Sequence, residues 1–161
     1  MNPVKKILAP IALSTDGFET VRFAADLARR YEASLTILHV YQPALSEGHA
    51  LARPTLPTLL IEAARQLAAA KHEALAAGLR EVEMLLVPGG IAEEIVRLAR
   101  DQAYDLIVMG TSASHGCDRM LFGSVSETVL RTAPCPLVSI RLSAGGPRVA
   151  EPAQASHDFP A

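Results

Sequence analysis

The stretch Leu106–Arg131, LIVMGTSASHGCDRMLFGSVSETVLR, decides the fold. An apolar run, LIVMG, leads into a loop of small and polar residues, and the loop closes with Gly123 and Ser124 at the start of an amphipathic helical pattern. A buried strand, a glycine-containing loop and a helix N-terminus together form an anion site, because unpaired backbone N–H groups and the positive end of the helix dipole point into the loop. The stretch therefore predicts a phosphate-binding loop. Its spacing matches neither GxxxxGK[ST] nor GxGxxG.

Continuous apolar runs recur along the chain and predict strands that are buried on both faces. The predicted strands are Lys6–Ile11, Ser34–Val40, Glu83–Val87, Leu106–Met109 and Pro136–Ile140. Between these runs, apolar side chains recur at helical spacing, as they do at Val21, Ala24, Ala25 and Ala28. This alternation predicts an α/β fold with an open, doubly wound, five-stranded parallel sheet and helices on both faces.

Composition limits the classes of function. A chain of 161 residues with 50% hydrophobic content is expected to form one domain, residues 1–142, followed by a mobile tail at 143–161 that is rich in Ala, Pro and Gly. The net charge of −2 argues against a nucleic-acid partner. Membrane insertion is not expected, because no apolar run reaches roughly 18 to 20 residues. The N-terminal apolar stretch lacks a signal-peptide cleavage site, so we expect a cytoplasmic protein.

The spacing of Gly110, Ala113, Gly123 and Ser124 resembles the Gly-x2-Gly-x9-Gly-Ser/Thr signature of universal stress proteins, with Ala113 at the position of the second glycine. Other blocks resemble that family in the same order: KKILAP, LTILHVY, GGIAEEIVRLA, DLIVMG and APCPLVSI. The resemblance covers roughly residues 4–141. It implies the strand order 3-2-1-4-5, which periodicity alone does not give.

The implied strand order also locates a ligand site. In an open parallel sheet, ligands bind beyond the carboxyl ends of the strands where the strand order reverses, which here is between the first and fourth strands. The resemblance implies that an adenine nucleotide, ATP or AMP, binds there with Mg²⁺ beside its phosphates, in a non-enzymatic, regulatory role in the stress response. The expected site residues are Pro10, Ile11, Ala12, Val40, Met109, Gly110, Ala113, Gly116, Gly123, Ser124, Val125 and Ser126. Val40 and Met109 are expected against the adenine, and the residues from Gly110 onward near the phosphates.

The first turn after strand one departs from the family pattern. Nucleotide-binding members usually have an Asp that meets the nucleoside at the position of Ala12. Asp16 either substitutes for that carboxylate or caps the next helix, with Glu19 completing a capping box.

The glycine loop has a purely structural interpretation as well. Gly110 would then simply end a strand, and Ser124 would be a helix N-cap paired with Glu127. A second functional hypothesis is therefore a family member that binds no nucleotide and acts through dimerisation and protein contacts. A third, an enzyme such as an adenine-nucleotide hydrolase, rests on fold analogy alone.

Other reactive side chains give weaker signals. His115, Cys117 and Asp118 lie close together but lack the paired ligand spacing of a zinc site, so no metal site is predicted. For Cys117, an ordinary loop cysteine is the expected interpretation. A redox role is the alternative, because a nearby helix N-terminus lowers the pKa of a thiol. Cys135 is expected to be a buried small hydrophobe, and His39 is expected to pack at the sheet.

The last predicted strand, PLVSIR, lies at the edge of the sheet and is followed only by the polar tail. An exposed apolar edge favours association with another strand. The resemblance implies a homodimer in which the last strands of two subunits pair antiparallel, with Leu137, Val138 and Ile140 as its apolar contacts. The alternative is a monomer whose tail folds over the edge.

Overall fold

The computed structural model of the protein describes residues 3–43, 55–112 and 124–142. In these residues five strands alternate with four helices. The strands are β1 (Lys6–Pro10), β2 (Ser34–Tyr41), β3 (Val82–Pro88), β4 (Leu106–Ser112) and β5 (Leu137–Leu142). The helices are α1 (Thr15–Tyr31), α2 (Leu56–Ala76), α3 (Ile91–Asp101) and α4 (Ser124–Thr132). The predicted tail at 143–161 lies outside the described residues, so its boundary and mobility stay predictions.

The strands form one parallel sheet in the order β3-β2-β1-β4-β5. At its centre, Ile7 of β1 pairs with Leu35 of β2 on one side and with Leu106 of β4 on the other. The α/β fold, the parallel sheet and the strand order 3-2-1-4-5 are therefore confirmed. The order reverses between β1 and β4, so the carboxyl ends of these two strands flank the predicted crevice.

Helices cover both faces of the sheet, and each face has its own apolar cluster. The first cluster contains Ile7, Ala9, Ile37 and Val108 from the strands with Val21, Ala24, Leu67 and Ala70 from α1 and α2. The second cluster contains Leu8, Leu38, Ile107 and Met109 from the strands with Ile95, Leu98 and Val129 from α3 and α4. Successive side chains of a strand point to opposite faces, and each face is covered by helices. This is why the central strands are apolar at consecutive positions rather than at alternate ones.

Strand β4 is longer than its apolar run predicts. It continues through Gly110 and Thr111 to Ser112, and these residues pair with Ile140, Arg141 and Leu142 of β5. The pattern missed this extension because it reports only on side-chain burial, whereas backbone pairing continues past the last apolar residue. The interpretation in which Gly110 ends the strand is therefore wrong.

Helix α1 begins earlier than predicted. Its N-cap is Ser14, in extended conformation, so Asp16 lies in the first turn and the predicted capping box of Asp16 with Glu19 is wrong. The chain turns early because the Ser14 N–H donates to the Ala12 carbonyl at 3.0 Å and the Gly17 N–H donates to the Ser14 carbonyl at 3.0 Å. A Cβ atom at Gly17 would overlap the Ala12 carbonyl oxygen, so this close approach requires glycine.

Candidate functional site

The pairing of β1 with β4 lies near the amino ends of the two strands. Their ladder contains Ile7 with Leu106 and Leu8 with Ile107, whereas β1 pairs with β2 over its whole length, from Lys6 to Pro10. The last residues of β1 and the second half of β4 therefore lie beyond this ladder, at the point where the strand order reverses. This is the position at which open parallel sheets bind ligands.

The last residue of β1 and the two residues after it form one wall of the predicted crevice. Pro10 is buried, Ile11 is half-buried and Ala12 is exposed. The Ile11 N–H donates to the Leu38 carbonyl at 2.8 Å, which ties the start of the loop to β2. Ala12 offers only a methyl group where the family pattern has a carboxylate. Asp16 lies in the first turn of α1, but its side chain is outside the described residues, so its substitution for that carboxylate stays untested.

A histidine of β2 supports the same loop. His39 is half-buried on β2, and its Nδ1 atom lies 3.0 Å from the Ile11 carbonyl oxygen. Sequence reasoning expected His39 to pack at the sheet but missed this hydrogen bond, which joins residues 28 positions apart. Nothing in the local pattern of LTILHVY indicates the partner, because the contact depends on the pairing of β1 with β2.

An open cleft of about 290 Å³ lies at the end of β2. Its lining comes from the end of β2, the loop after β1, the first turns of α2 and the first residue of α3: Leu13, His39, Val40, Tyr41, Gln42, Leu56, Leu59, Leu60, Ala63 and Ile91. Val40 was predicted for the site, but the contribution of α2 was not. The apolar stripe of α2 marks the face that it buries, whereas the strand ends that its first turns reach depend on the tertiary fold.

Met109 and Gly110 belong to the opposite wall. Met109 is buried in the second cluster, which also contains Val40, so the two predicted adenine contacts lie on the same face of the sheet. Gly110 is half-buried within β4. Beside it, the Thr111 Oγ1 hydroxyl donates to the Ile140 carbonyl at 3.2 Å, which fixes the end of β4 against β5.

The loop between β4 and α4 lies outside the described residues. It contains the predicted site residues Ala113, Gly116 and Gly123 and the cluster of His115, Cys117 and Asp118. Their proposed roles stay predictions.

The chain is described again from the first residue of α4. Ser124 is the first residue of this helix rather than its N-cap, and its carbonyl accepts a hydrogen bond from the Thr128 hydroxyl at 2.8 Å. Ser124 is exposed, Val125 is half-buried and packs against the second cluster, and Ser126 is buried. Of the two serines among the expected site residues, Ser124 is therefore the accessible one.

The carboxylates at the start of α3 have structural roles. Glu93 and Glu94 lie in the first turn, where they complement the helix dipole. Glu94 forms an ion pair with Arg97 at 2.6 Å, and this hydrogen-bonded contact raises the pKa of the Arg97 guanidinium. Glu94 also fits closely against Gly89, which has φ of +143° and whose Cβ, if present, would lie 2.7 Å from the Glu94 Cγ. This turn therefore favours glycine.

Cys135 is half-buried and packs against the second cluster at the entrance to β5. Burial raises the pKa of its thiol, and the nearby Asp105 charge raises the pKa further. Its position agrees in part with the small hydrophobe that was predicted, since its burial is incomplete.

The fold defines a class of protein: a doubly wound α/β domain whose strand order reverses between β1 and β4. The sequence model of the universal stress protein family matches residues 3–141. The chain belongs to the universal stress protein family.

Individual relatives agree with this assignment. A universal stress protein of Methanocaldococcus jannaschii is 31% identical over 143 residues, which cover 87% of this chain and 84% of the relative. A universal stress protein of Thermus aquaticus is 31% identical over 136 residues, which cover 81% of this chain and 97% of the relative. Among solved structures, a universal stress protein in complex with cAMP is 25% identical, with a TM-score of 0.69 and coverage of 88% of this chain and 100% of that one. Within the three described ranges of this chain, none of the helices is both long enough and apolar enough to cross a bilayer.

Proposed function

We propose that this protein binds an adenine nucleotide in the crevice between β1 and β4 and acts as a non-enzymatic, cytoplasmic regulator in the stress response. The observation that carries the proposal is the early end of the β1–β4 ladder, at Leu8 and Ile107, at the switch point of the sheet. The proposed crevice has Pro10–Ala12 on one side and Met109 and Gly110 on the other. A family member of the same fold that forms a complex with cAMP supports an adenine nucleotide as the ligand class.

The two walls differ in the part of a nucleotide that they suit. In the proposed arrangement the adenine lies against Val40 and Met109, beside the apolar cleft at the end of β2. The phosphates lie near Gly110 and the N-terminus of α4, where backbone N–H groups and the helix dipole favour negative charge. Mg²⁺ accompanies the phosphates, and the exposed Ser124 hydroxyl is an oxygen ligand that α4 offers there.

Ala12 lowers the affinity of this site for the ribose. A carboxylate at this position would accept a charge-assisted hydrogen bond from a ribose hydroxyl, which contributes about 1.5–3 kcal/mol. The methyl group of Ala12 contributes no such bond. Binding therefore depends on the base and the phosphates, and we expect AMP and ATP to bind more weakly than they would bind a variant with Asp at this position.

Calorimetric titration tests the proposal directly. Purified protein is titrated with ATP, ADP and AMP at physiological Mg²⁺, and each titration is repeated with the corresponding ribose phosphate as a control without the base. Saturable heat with the nucleotides, and less or none with the sugar phosphates, supports the proposal. No heat at millimolar nucleotide would refute it. Incubation with ATP and Mg²⁺ should release no phosphate above the buffer rate, since the proposed role is non-enzymatic.

The position of β5 at the edge of the described sheet favours a second function, action through dimerisation. Among the strands of residues 3–43, 55–112 and 124–142, β5 pairs with β4 alone, and Leu137, Val138 and Ile140 are only half-buried. We propose that two copies pair antiparallel through β5, with these three side chains as apolar contacts. Dimerisation is compatible with nucleotide binding, and it becomes the main function if titration shows no ligand.

The hydrogen-bond pattern of β5 identifies the residue to test. The Ile107 N–H donates to the Pro136 carbonyl at 3.0 Å, and in a parallel ladder this directs the Val138 N–H back to β4. Successive N–H groups alternate sides, so the Ser139 N–H points away from β4. Ser139→Pro should convert a dimer to a monomer in light scattering with little loss of folding. Val138→Pro is the control that disturbs the subunit itself. A monomeric wild type refutes the dimer, and a dimer unaffected by Ser139→Pro places the interface elsewhere.

A further inference from the structure

The flank of α2 that faces away from α1 carries an exposed apolar stripe. The ion pair of Arg22 with Glu73, at 3.1 Å, marks the flank that faces α1. Ile61, Ala68 and Leu75 lie on the opposite flank, and they share one side of the helix because they recur every seven residues. Ile61 is 71% exposed and Leu75 is 36% exposed, and Ala68 is exposed as well. Helix α2 therefore has an apolar surface on its outer side.

Strand β3 extends this surface at the edge of the described sheet. Among the strands of the three described ranges, β3 pairs with β2 alone, and α2 contacts β3. Val82 and Leu86 pack in the first cluster, on the α2 side of the sheet, so the side chain of Met84 between them points to the same side. Met84 is 38% exposed. Met84 and the stripe of α2 (Ile61, Ala68 and Leu75) together form the β3 edge surface.

The hydrogen bonds of β3 show which of its backbone groups face away from β2. The Gly89 N–H donates to the Tyr41 carbonyl at 3.0 Å, and in a parallel ladder this directs the backbone groups of Leu85 to β2 as well. Successive residues alternate sides, so the N–H and C=O groups of Met84 and Leu86 point away from β2. These two residues present donors and acceptors on the side where another strand can add.

The α2 part of the surface is complementary to itself. Ile61 and Leu75 are equally distant along the helix from Ala68, seven residues to either side. In an antiparallel pair of α2 helices centred on Ala68, each isoleucine therefore faces the leucine of the other copy. The small Ala68 side chain at the centre allows the two helices to approach closely. This is the symmetry of an isologous contact, in which two copies use the same surface.

The β3 part is complementary to itself in the same way. In an antiparallel pair of β3 strands centred on Leu85, the outward backbone groups of Met84 exchange hydrogen bonds with those of Leu86 in the other copy. The same register places Glu83 opposite Val87, so the acidic side chains of the two copies do not face each other. Like charges directly opposite would destabilise such a pair.

One two-fold axis fits both parts. Ala68 lies about 12 Å of helix before the end of α2, and Leu85 lies about 10 Å of strand after the start of β3, so both centres are at similar heights above the turn that joins these ends. Helix α2 lies over both β2 and β3. Across a β3 pair the two α2 axes would thus be about 10 Å apart, close to the separation of about 8–10 Å for packed helices.

We propose that the β3 edge surface is a self-association surface, at which a second copy of this chain pairs through β3 and α2 about one two-fold axis. The proposal is independent of nucleotide binding, and it uses the edge of the sheet opposite to β5. Its large apolar side chains are only Ile61, Leu75 and Met84, so the contact belongs to the weak, transient class and forms at high protein concentration. Together with pairing through β5, it would join dimers into longer assemblies.

Sedimentation velocity tests the contact in the Ser139→Pro variant, which lacks the proposed β5 contact. This variant should be a monomer at micromolar concentration and should shift toward a dimer as its concentration approaches millimolar. Adding Ala68→Glu places two carboxylates at the two-fold axis and should weaken the association by about tenfold or more. The matched control, Ala69→Glu, adds the same charge at an exposed position on a different side of α2 and should leave the association unchanged.

A covalent readout captures a weak contact directly. In a background with Cys117→Ala and Cys135→Ala, Ala68→Cys brings two thiols together at the axis and should form a disulfide-linked dimer on mild oxidation. Ala69→Cys should stay largely monomeric under the same conditions.

The contradicting results are equally definite. A Ser139→Pro variant that stays monomeric at every concentration overturns the proposal, and so does equal weakening by Ala68→Glu and Ala69→Glu. If a proline or glutamate variant does not fold, the two cysteine variants decide, and equal cross-linking in both refutes the contact. None of these results bears on nucleotide binding, which calorimetry tests separately.

Discussion

The two ends of the sheet are built differently, although β1 and β4 run through both. At the amino end, Asp105 Oδ2 accepts hydrogen bonds from the Lys5 and Lys6 N–H groups at 2.8 and 2.9 Å, and the Asp105 N–H returns a bond to the Lys6 carbonyl at 2.9 Å. The Lys6 ammonium lies 4.9 Å from the centre of the Tyr104 ring. At the carboxyl end, the ladder stops after Leu8. Ligands bind such sheets beyond the carboxyl ends of the strands. The contacts at the amino end therefore contribute to stability rather than to binding.

The largest expected effect comes from the place where β1 and β4 are joined. Ile107 is fully buried and pairs with Leu8, and Ile107→Ala should lower the free energy of unfolding by about 2–5 kcal/mol through lost burial and an unfilled cavity. Ile61→Ala is the matched control, because Ile61 is 71% exposed on α2, and it should change stability by about 0.5 kcal/mol or less. Urea unfolding at neutral pH measures both. Equal losses would contradict the assignment of stability to the joined region.

The central strands were readable from the sequence because their burial on both faces leaves consecutive apolar residues. The strand order was not readable in this way, since periodicity does not distinguish neighbours in a sheet, and it came from the family resemblance. Backbone effects were also missed: β4 continues through Gly110, and α1 begins at Thr15 because Gly17 permits a tight turn.

The candidate site was predicted in part. The sequence placed Pro10, Val40 and Met109 at the carboxyl ends of strands. Pro10 ends β1 and Val40 is next to last in β2, whereas Met109 lies in the middle of β4, because β4 continues to Ser112. The sequence did not predict that His39 contacts Ile11, nor that the first turns of α2 line a cleft beside Val40. The contact of His39 and the position of α2 both depend on which segments meet in three dimensions. The sequence pattern of one segment does not indicate which other segment it contacts.

The carboxylate at the amino end gives a second test of the comparison. Asp105→Ala removes the acceptor of two backbone N–H groups and should cost about 1.5–3 kcal/mol of stability. Its control is Asp101→Ala, which removes an exposed ion pair with Arg97 at 3.2 Å and should cost under ~1 kcal/mol. If thermal and urea unfolding show the Asp101 variant to be the less stable, the contacts of Asp105 do not make the main contribution to stability at the amino end of the sheet.

At the carboxyl end, the corresponding change should affect binding rather than stability. Ala12 is exposed, so Ala12→Asp should leave the unfolding free energy nearly unchanged. It should strengthen AMP binding by about tenfold, because it supplies an acceptor for a ribose hydroxyl. Ala69→Asp introduces the same group at an exposed position of α2 and should leave AMP affinity unchanged. A gain of AMP affinity in both variants, or in neither, would show that position 12 does not contact the bound nucleotide.

The smallest effect concerns the buried Tyr104, whose hydroxyl donates to Thr36 Oγ1 at 2.9 Å. Tyr104→Phe should cost about 1 kcal/mol at neutral pH, and Tyr31→Phe, at a half-exposed ring, should cost less than about 0.5 kcal/mol.

Burial raises the pKa of Tyr104 in the folded protein, an effect that the bond to Thr36 opposes and the Glu83 charge reinforces. The folded pKa therefore lies above the unfolded value near 10. The resulting stability is complete below that unfolded value and is lost as pH rises through the folded pKa. In urea unfolding between pH 7 and 11, the advantage of wild type over Tyr104→Phe should shrink at the alkaline end, and an advantage that grows there would contradict the buried hydroxyl.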